Sequence, residues 1–366
     1  MKKIILRILL ILFSNLSHFE NNSVKYYTVI QMKTFIIAVM LLLSSLFLTA
    51  EKILTFSELV NPHKIIVAGD EIIIEEFPKI YVYSVKDFKL KHSFGKQGEG
   101  PGEFLKRSGY VRLNITVTKD LIFVESQGRL AFFPRKGEYI RQLNSAASVY
   151  LFKPLANGKL VANKDVAAAN TLHKTLNLFN AENLKLEKKF YQVKHGTQPG
   201  KAIILFDKVL RSYVDENYIY VVSDFDFIID VFDLEGNPVL KIRKNDYKPL
   251  KISEEDKKET HAYLKIALPS YSSIKDRLKF PENFLAIRDI VFDDNLLYVT
   301  TYFRKDDGLE CFVFNQKGKF LKKIFLPLVK ENIFREYPYD IYKGKIYQLV
   351  ENDSEEGWDL HIRKIK

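Results

Sequence analysis

Cysteine is almost absent from this chain: among 366 residues there is a single one, Cys311. One cysteine cannot form an internal disulfide, so the sequence excludes a fold held together by such bonds. Cys311 lies within the strand-like run LECFVF. We predict that it is a small buried hydrophobic residue rather than a nucleophile.

The signatures of several enzyme classes are also missing. The sequence contains no G-x-S-x-G nucleophile elbow and no H-E-x-x-H metal motif. The histidines that follow residue 50 are scattered along the chain, at His63, His92, His173, His195, His261 and His361. These absences favour a non-catalytic protein.

Glycine is sparse, but four of the 16 glycines lie in the segment FGKQGEGPGEF, at Gly95, Gly98, Gly100 and Gly102. A phosphate-binding loop would need Lys-Ser or Lys-Thr after the last glycine, whereas Glu103 and Phe104 follow here. Pro101 removes a backbone donor, and the acidic side chains would repel phosphate. We predict a tight surface turn whose glycines supply positive φ angles.

Long apolar runs occur only near the start of the chain. Residues 32–50 have the layout of a secretory signal peptide, with one lysine, an apolar core over 35–47 and small residues up to Ala50. We therefore predict cleavage after Ala50, with residues 1–31 an over-called upstream extension. Two membrane-associated segments are the alternative. No cysteine lies near the cleavage point, so we expect an exported, periplasmic or extracellular protein without a lipid anchor.

Positive charge is spread along the chain rather than gathered in runs, although the formal net charge is +11. No RNA-binding aromatic signature or helix-turn-helix pattern accompanies it. We expect no nucleic-acid partner and no membrane span in the mature chain, residues 51–366.

A repeat of short apolar runs separated by tight turns fills the mature chain. Equivalent hairpin positions recur at steps of about 50 residues, the spacing of propeller blades; they are Tyr83, Phe133, Phe179, Phe232, Phe314 and Ile362. Each unit contains four strand-like runs, so we predict an all-β, six-bladed β-propeller with four-stranded blades.

Two features modify this regular pattern. The step between the fourth and fifth units is longer, and it contains a predicted helical insert at about 250–283 that Ser253 caps and Pro269 ends. The last unit stops one strand short, while the run at 52–59 belongs to no unit. Because an unpaired strand edge is a liability, we predict that 52–59 pairs with 359–364 and closes the ring.

The segment G-x-x-G-E-G-P-G-E-F, residues 95–104, resembles the NHL-type six-bladed β-propeller family of exported bacterial proteins. The resemblance covers about 51–366, and its most specific part is Gly98 to Phe104. It implies the propeller fold. Because that family serves many functions, it implies little about activity.

Acidic residues occupy the breaks between the second and third strands of blades 4, 5 and 6. They include Asp224, Asp226, Asp306, Asp307 and Asp353. Loops between these strands share one face of a propeller, so we predict an acidic arc that holds Ca²⁺ or a cationic partner. Solvated turn residues are the alternative interpretation.

The mouth of the central channel is the second candidate site. Charged residues fall at the starts of the innermost strands, at Arg112, Arg211, Arg288, Asp289 and Asp340. Arginines around a channel suit a carboxylate or a sugar acid. The alternative is an ion-pair network that fills the channel.

From these observations we predict a monomeric, non-catalytic binding or scaffold propeller that recognises a protein or a carbohydrate-like ligand, with no cofactor apart from the calcium candidate. The alternative is a hydrolase or lyase acting on a sugar, sugar acid or lactone in the channel. The innermost strand of blade 1 reads HKIIVAG and offers no carboxylate for the metal site of lactonase-type propellers.

Overall fold

The structure is a computed structural model that describes residues 51–106, 113–146, 148–168, 171–195, 202–206, 210–223, 225–306, 308–352, 354 and 357–365. The predicted signal peptide and upstream extension lie outside these residues. Lys52–Lys366 forms one compact unit. No helix within the described ranges is long and apolar enough to cross a membrane.

Six antiparallel sheets of four strands form a ring, which confirms the predicted six-bladed propeller. In blades 1 to 3 the strands run in chain order from the channel outward. Blade 1 contains β2 (Lys64–Ala68), β3 (Glu71–Glu76), β4 (Lys79–Ser84) and β5 (Leu90–Phe94). Blade 2 contains β6 (Asn114–Val117), β7 (Leu121–Ser126), β8 (Arg129–Pro134) and β9 (Arg141–Asn144). Blade 3 contains β10 (Val149–Pro154), β11 (Lys159–Ala168), β12 (Thr171–Asn180) and β13 (Leu186–His195).

The other three blades follow the same order, with one exception at the closure. Blade 4 contains β15 (Arg211–Val214), β16 (Tyr218–Val222), β17 (Ile228–Asp233) and β18 (Pro238–Arg243). Blade 5 contains β20 (Asp289–Asp293), β21 (Leu296–Lys305), β22 (Gly308–Asn315) and β23 (Phe320–Leu326). Blade 6 contains β24 (Tyr339–Tyr342), β25 (Lys345–Asn352), β26 (Gly357–Lys364) and the N-terminal strand β1 (Glu51–Phe56).

The hydrophobic core lies between blades rather than at one centre. Six clusters of buried apolar side chains each join two neighbouring blades, and one of them joins blade 6 to blade 1. This follows from the period-two alternation of each strand, because successive side chains point to opposite faces of the sheet. Both faces of every blade are therefore covered by a neighbour. Cys311 is one of these buried residues, as predicted.

Strand β1 closes the ring as the fourth strand of blade 6. The predicted pairing is confirmed, although the strand ends at Phe56 rather than at residue 59. Thr55 donates a hydrogen bond to Asp359 at 2.7 Å, and the ring of Phe56 lies 4.5 Å from that of Tyr83 in blade 1. The N-terminal strand thus contacts both blades that meet at the closure.

Buried polar side chains connect successive blades near the channel. In the first three blades the fifth residue of the second strand is polar and buried, namely Glu75, Glu125 and Asn163. Each bonds to the backbone that enters the next blade. Glu125 accepts hydrogen bonds from the amides of Leu151 and Phe152 at 3.1 and 3.0 Å. These carboxyl and amide groups satisfy buried backbone donors and acceptors, so their first role is structural.

The insert between blades 4 and 5 is helical, as predicted. It contains helix α1 (Glu254–Ala267), a short helix α2 (Tyr271–Ile274) and a 3-10 turn (Lys275–Arg277). Ser253 and Asp256 form a reciprocal capping box at the start of α1. Strand β19 (Leu278–Lys279) then pairs in parallel with β14 (Ile203–Ile204), which precedes blade 4.

Helix α1 packs against the segment that crosses from blade 5 to blade 6. Tyr263 lies 5.4 Å from Phe334, measured between ring centroids, and Glu259 pairs with Lys330 at 2.6 Å. Leu264 of this helix is buried, whereas Ile266 is 88% exposed. The insert therefore braces the crossing segments through one side of the helix.

The glycine-rich segment is a turn, and it places Phe104 in the core between blades 1 and 2. Gly95 and Gly102 have positive φ angles of 93° and 72°, as predicted. Gly98 and Gly100 do not, which corrects that part of the prediction. They instead make room for Glu103, whose carboxylate accepts a hydrogen bond from Gly100 N at 2.8 Å. The loop amide is satisfied by the chain's own carboxylate.

Candidate functional site: the central channel

A cavity of about 1750 Å³ runs along the axis of the ring and is lined by the innermost strands of all six blades. In these strands, partly exposed side chains that face the cavity alternate with buried ones, as the pattern of β2 shows. The cavity also reaches the turns that join the first and second strands of blades 1 to 4. A concave cavity of this size is large enough for a small ligand.

Four of the five residues predicted for the channel mouth line this cavity together: Arg211, Arg288, Asp289 and Asp340. The fifth, Arg112, lies outside the described residues. The sequence therefore predicted correctly that these four residues lie at the channel. The contacts of each side chain determine whether it can bind a ligand.

The two arginines are engaged with the protein. Arg211 donates to the backbone carbonyls of Ile287 and Arg288, so it joins blade 4 to the segment that enters blade 5. Arg288 lies 3.0 Å from Glu336 and stacks 5.0 Å from the ring centroid of Tyr302. These contacts fix the wall of the channel and leave each guanidinium with one buried nitrogen that lacks a hydrogen-bond partner among the described residues.

The two aspartates differ in their surroundings. Asp289 accepts hydrogen bonds from Ile290 N at 2.9 Å and from the Tyr339 hydroxyl at 3.5 Å. Asp340 accepts hydrogen bonds from Val67 N in blade 1 at 2.7 Å and from Ile341 N at 2.8 Å. Burial nevertheless raises the pKa of Asp340 to about 7, because desolvation outweighs these hydrogen bonds and the nearby charge of Lys64.

Sequence reasoning missed two lysines that lie in the same cavity, Lys64 on β2 and Lys153 on β10. Lys64 donates to the carbonyl of Ile115 at 2.7 Å, and Lys153 donates to the hydroxyl of Ser212 at 3.3 Å. Among the described residues neither ammonium group has an ion-pair partner. The sequence feature that could have identified them is a lysine at a channel-facing position of an otherwise apolar strand.

Burial changes the protonation of both lysines. It lowers the pKa of Lys64, although Asp340 and Asp289 partly offset the effect. Together with the neighbouring charge of Lys64, burial lowers the pKa of Lys153 to about 8, although Glu125 and Asp289 partly offset the shift. A desolvated ammonium group with another cation nearby is the expected cause of such a shift. For both lysines, burial thus outweighs the charges of the neighbouring acidic groups.

The acidic arc on the loop face is only partly described. Asp226 and Asp306 are exposed, and Asp306 has a positive φ of 49°. Asp224, Asp307 and Asp353 lie outside the described residues. Within the described ranges no three His, Cys, Asp or Glu side chains are grouped to hold a metal ion. The Ca²⁺ site therefore stays a prediction.

Lowering the pH should stabilise the protein through Asp340. Its pKa is raised in the folded state from 3.8 to about 7, so the folded protein holds this proton more tightly than the unfolded chain. The resulting stabilisation is present at low pH and is lost as the pH rises from about 4 to about 7. Urea unfolding at several pH values in this window should show this decline.

The variant Asp340→Asn should flatten that decline. It should not abolish it, because burial also raises the pKa of Glu125 and Glu336. Asp276→Asn, at an exposed position of the helical insert, should leave the profile unchanged. Equal pH dependence in Asp340→Asn and the parent protein would contradict the role of this carboxyl group.

The chain matches no protein-family model, and no curated protein matches it. One solved structure with which it aligns is described as KlHsv2 with loop 6CD replaced by a Gly-Ser linker. The two chains share 13% identity at a TM-score of 0.36, over 81% of this chain and 94% of the other. The propeller assignment made here follows from the sheet topology, and the NHL-type family stays a prediction.

Proposed function

We propose that this protein is a binding propeller whose central channel takes a small anionic ligand that carries a carboxylate, such as a sugar acid. One observation carries the proposal: Lys64 and Lys153 line the same cavity, and neither ammonium group has an ion-pair partner among the described residues. Export of the protein is part of the same proposal, and the N-terminal residue of the exported chain is its test.

The physical reason is the cost of desolvating a charge. A buried ammonium group is disfavoured unless an anion or several hydrogen bonds compensate it. Each of these lysines has one neutral hydrogen-bond acceptor, and their lowered pKa values reflect the missing compensation. A bound carboxylate would stabilise the charged form of both lysines, which favours binding of an anion over a neutral ligand.

The other charges of the channel are less available to a ligand. Arg211 and Arg288 are bonded to backbone carbonyls or to a carboxylate, while Asp289 and Asp340 accept hydrogen bonds from backbone amides. Because the pKa of Asp340 is about 7, this carboxyl group carries only part of its negative charge at neutral pH. Lys64 and Lys153, each with one neutral hydrogen-bond acceptor, are therefore more available to a ligand than these four groups.

Titration calorimetry with glucuronate and with glucose tests the proposal. Glucuronate should bind and glucose should bind at least about tenfold more weakly, since one compensated charge is worth more than 1.4 kcal/mol in a buried site. Lys153→Met and Lys64→Met should each weaken glucuronate binding by a similar factor. At pH values near 8, binding should take up protons, because the ligand raises the pKa of Lys153.

The matched control is Lys241→Met, which removes an exposed lysine of β18 whose partner is Asp230. This variant should bind glucuronate as the parent protein does. Equal affinities for glucose and glucuronate, or undiminished binding in Lys153→Met, would contradict an anion site in the channel. The hydrolase or lyase alternative stays a prediction, and product analysis after incubation with the same ligands would detect it.

A further inference from the structure

Lys153 occupies an unusual position for a lysine that serves only to attract an anion. Its ammonium group lies inside the cavity, where the Ser212 hydroxyl is its hydrogen-bond acceptor at the long distance of 3.3 Å. Ser212 itself is only 3% exposed. The hydrogen bond therefore holds the amine at one place in the channel. Among the described residues the amine forms no ion pair.

Charged groups on several neighbouring strands surround Lys153. Lys64 on β2 lowers its pKa, whereas Glu125 on β7 and Asp289 on β20 raise it. Glu125 is already occupied by the amides of Leu151 and Phe152. On the adjacent strand β15, Arg211 and Tyr213 also line the cavity. Burial and the second lysine prevail, and the pKa of Lys153 falls to about 8.

This combination makes an amine nucleophilic near neutral pH. With a pKa of about 8, about a tenth of the Lys153 side chains carry a neutral amine at pH 7. For an ordinary lysine the neutral fraction is roughly two to three orders of magnitude smaller. Lysines that form imines with carbonyl compounds are activated in this way, by desolvation or by another cation nearby.

We propose that Lys153 forms an imine with the aldehyde or ketone group of an anionic ligand whose carboxylate is held by Lys64. The inference rests on the proposed function, and it specifies the ligand class as a 2-oxo acid or an open-chain sugar acid. In 2-oxo acids the carboxylate and the carbonyl group are adjacent. Such a ligand suits two lysines that line the same cavity.

The step balances without a further reactant. The lone pair of the neutral Lys153 nitrogen adds to the carbonyl carbon, and a proton moves from nitrogen to the carbonyl oxygen. The remaining nitrogen-bound proton then passes to the departing hydroxyl group as the carbon–oxygen bond of this carbinolamine breaks, so water leaves and a carbon–nitrogen double bond remains. Nothing is oxidised or reduced, and hydrolysis returns the free lysine and the carbonyl compound.

Reductive trapping tests this inference on the full chain. The protein is incubated with pyruvate and sodium cyanoborohydride at neutral pH, digested, and mapped by mass spectrometry. The adduct should form on Lys153 at least about tenfold faster than on exposed lysines such as Lys241 and Lys265, because only Lys153 has a large neutral fraction. Lys153→Arg, which keeps the positive charge, should lose the adduct.

At pyruvate concentrations that saturate both proteins, the variant Lys64→Met separates activation of Lys153 from binding of the carboxylate. Removing that charge should raise the pKa of Lys153, so trapping at pH 7 should fall several-fold and recover at higher pH. Lactate has the carboxylate but lacks the ketone group of pyruvate. It should therefore bind without forming an adduct. If a variant fails to fold, the map of the parent protein still decides the question.

Three outcomes would overturn the inference. They differ in whether they also contradict the proposed anion site. If lactate and pyruvate both bind but no adduct forms on Lys153, the imine is wrong and the anion site stands. If adducts form equally on many surface lysines, Lys153 is not activated. If neither acid nor glucuronate binds, the inference and the proposed function both fail.

Discussion

Deleting residues 51–60 should remove most of the stability of the propeller. The deletion takes away strand β1, the buried side chains of Phe56 and Leu59, and the carbonyl of Val60 that accepts a hydrogen bond from the Trp358 indole at 3.2 Å. Truncating a buried Phe costs about 3–5 kcal/mol and a buried Leu about 2–5 kcal/mol. The sum approaches the whole stability of an ordinary domain, about 5–15 kcal/mol.

The deletion also exposes the edge of β26, whose backbone groups β1 had paired. An unpaired edge promotes association between copies, so we expect aggregation as well as a lower melting temperature. Thermal unfolding and light scattering of the shortened and parent chains measure both effects. A shortened chain that stays monomeric and melts within a few degrees of the parent would contradict closure by β1.

A pair of point variants on the same strand provides the matched control. The Phe56 side chain is 1% exposed and contacts Tyr83, whereas Leu54 is 37% exposed. Phe56→Ala should lower the free energy of unfolding by about 3–5 kcal/mol, and Leu54→Ala by about 1 kcal/mol or less. Equal losses would mean that the strand pairs without packing into the closure.

Glu336→Ala should be the most costly single substitution in the channel wall. Glu336 is buried between Arg288 at 3.0 Å and Arg304 at 2.7 Å, and Arg304 also donates to the carbonyl of Leu328. Removing the carboxylate leaves buried guanidinium charge without compensation, which costs about 3–5 kcal/mol in such pairs. Urea unfolding at neutral pH measures the loss.

Two further variants distinguish a buried network from a surface one. Glu259→Ala breaks the more exposed pair with Lys330 and should cost no more than about 1 kcal/mol. The double variant Arg288→Met with Glu336→Met should recover part of the loss, because it removes both partners of one pair. If Glu336→Ala and Glu259→Ala have the same effect, the Arg288–Glu336–Arg304 network does not hold the crossing between blades 5 and 6.

The sequence by itself determined the architecture, because its signals are local. Strand periodicity, turn residues and hairpin spacing set six four-stranded blades, and the unpaired run before blade 1 predicted the closure that β1 provides. The helical insert was equally readable, since Ser253 and Asp256 cap it through neighbours in sequence. The strands, turns and helix caps depend on residues within a few positions of one another, and the closure was inferred from the strand that the last unit lacks.

Only the tertiary structure decided the chemistry of the channel. Lys64 and Lys153 are 89 residues apart in the sequence (153 − 64 = 89), and each sits in an apolar strand that gives no sign of its neighbour. The ring places both near Asp289 and places Lys64 near Asp340 as well, and the combined desolvation and charge set their pKa values. Arg211 and Arg288 were found from sequence, but their partners were not, because those partners come from the crossings between blades. Burial and electrostatics depend on distances through space, and the fold alone fixes those distances.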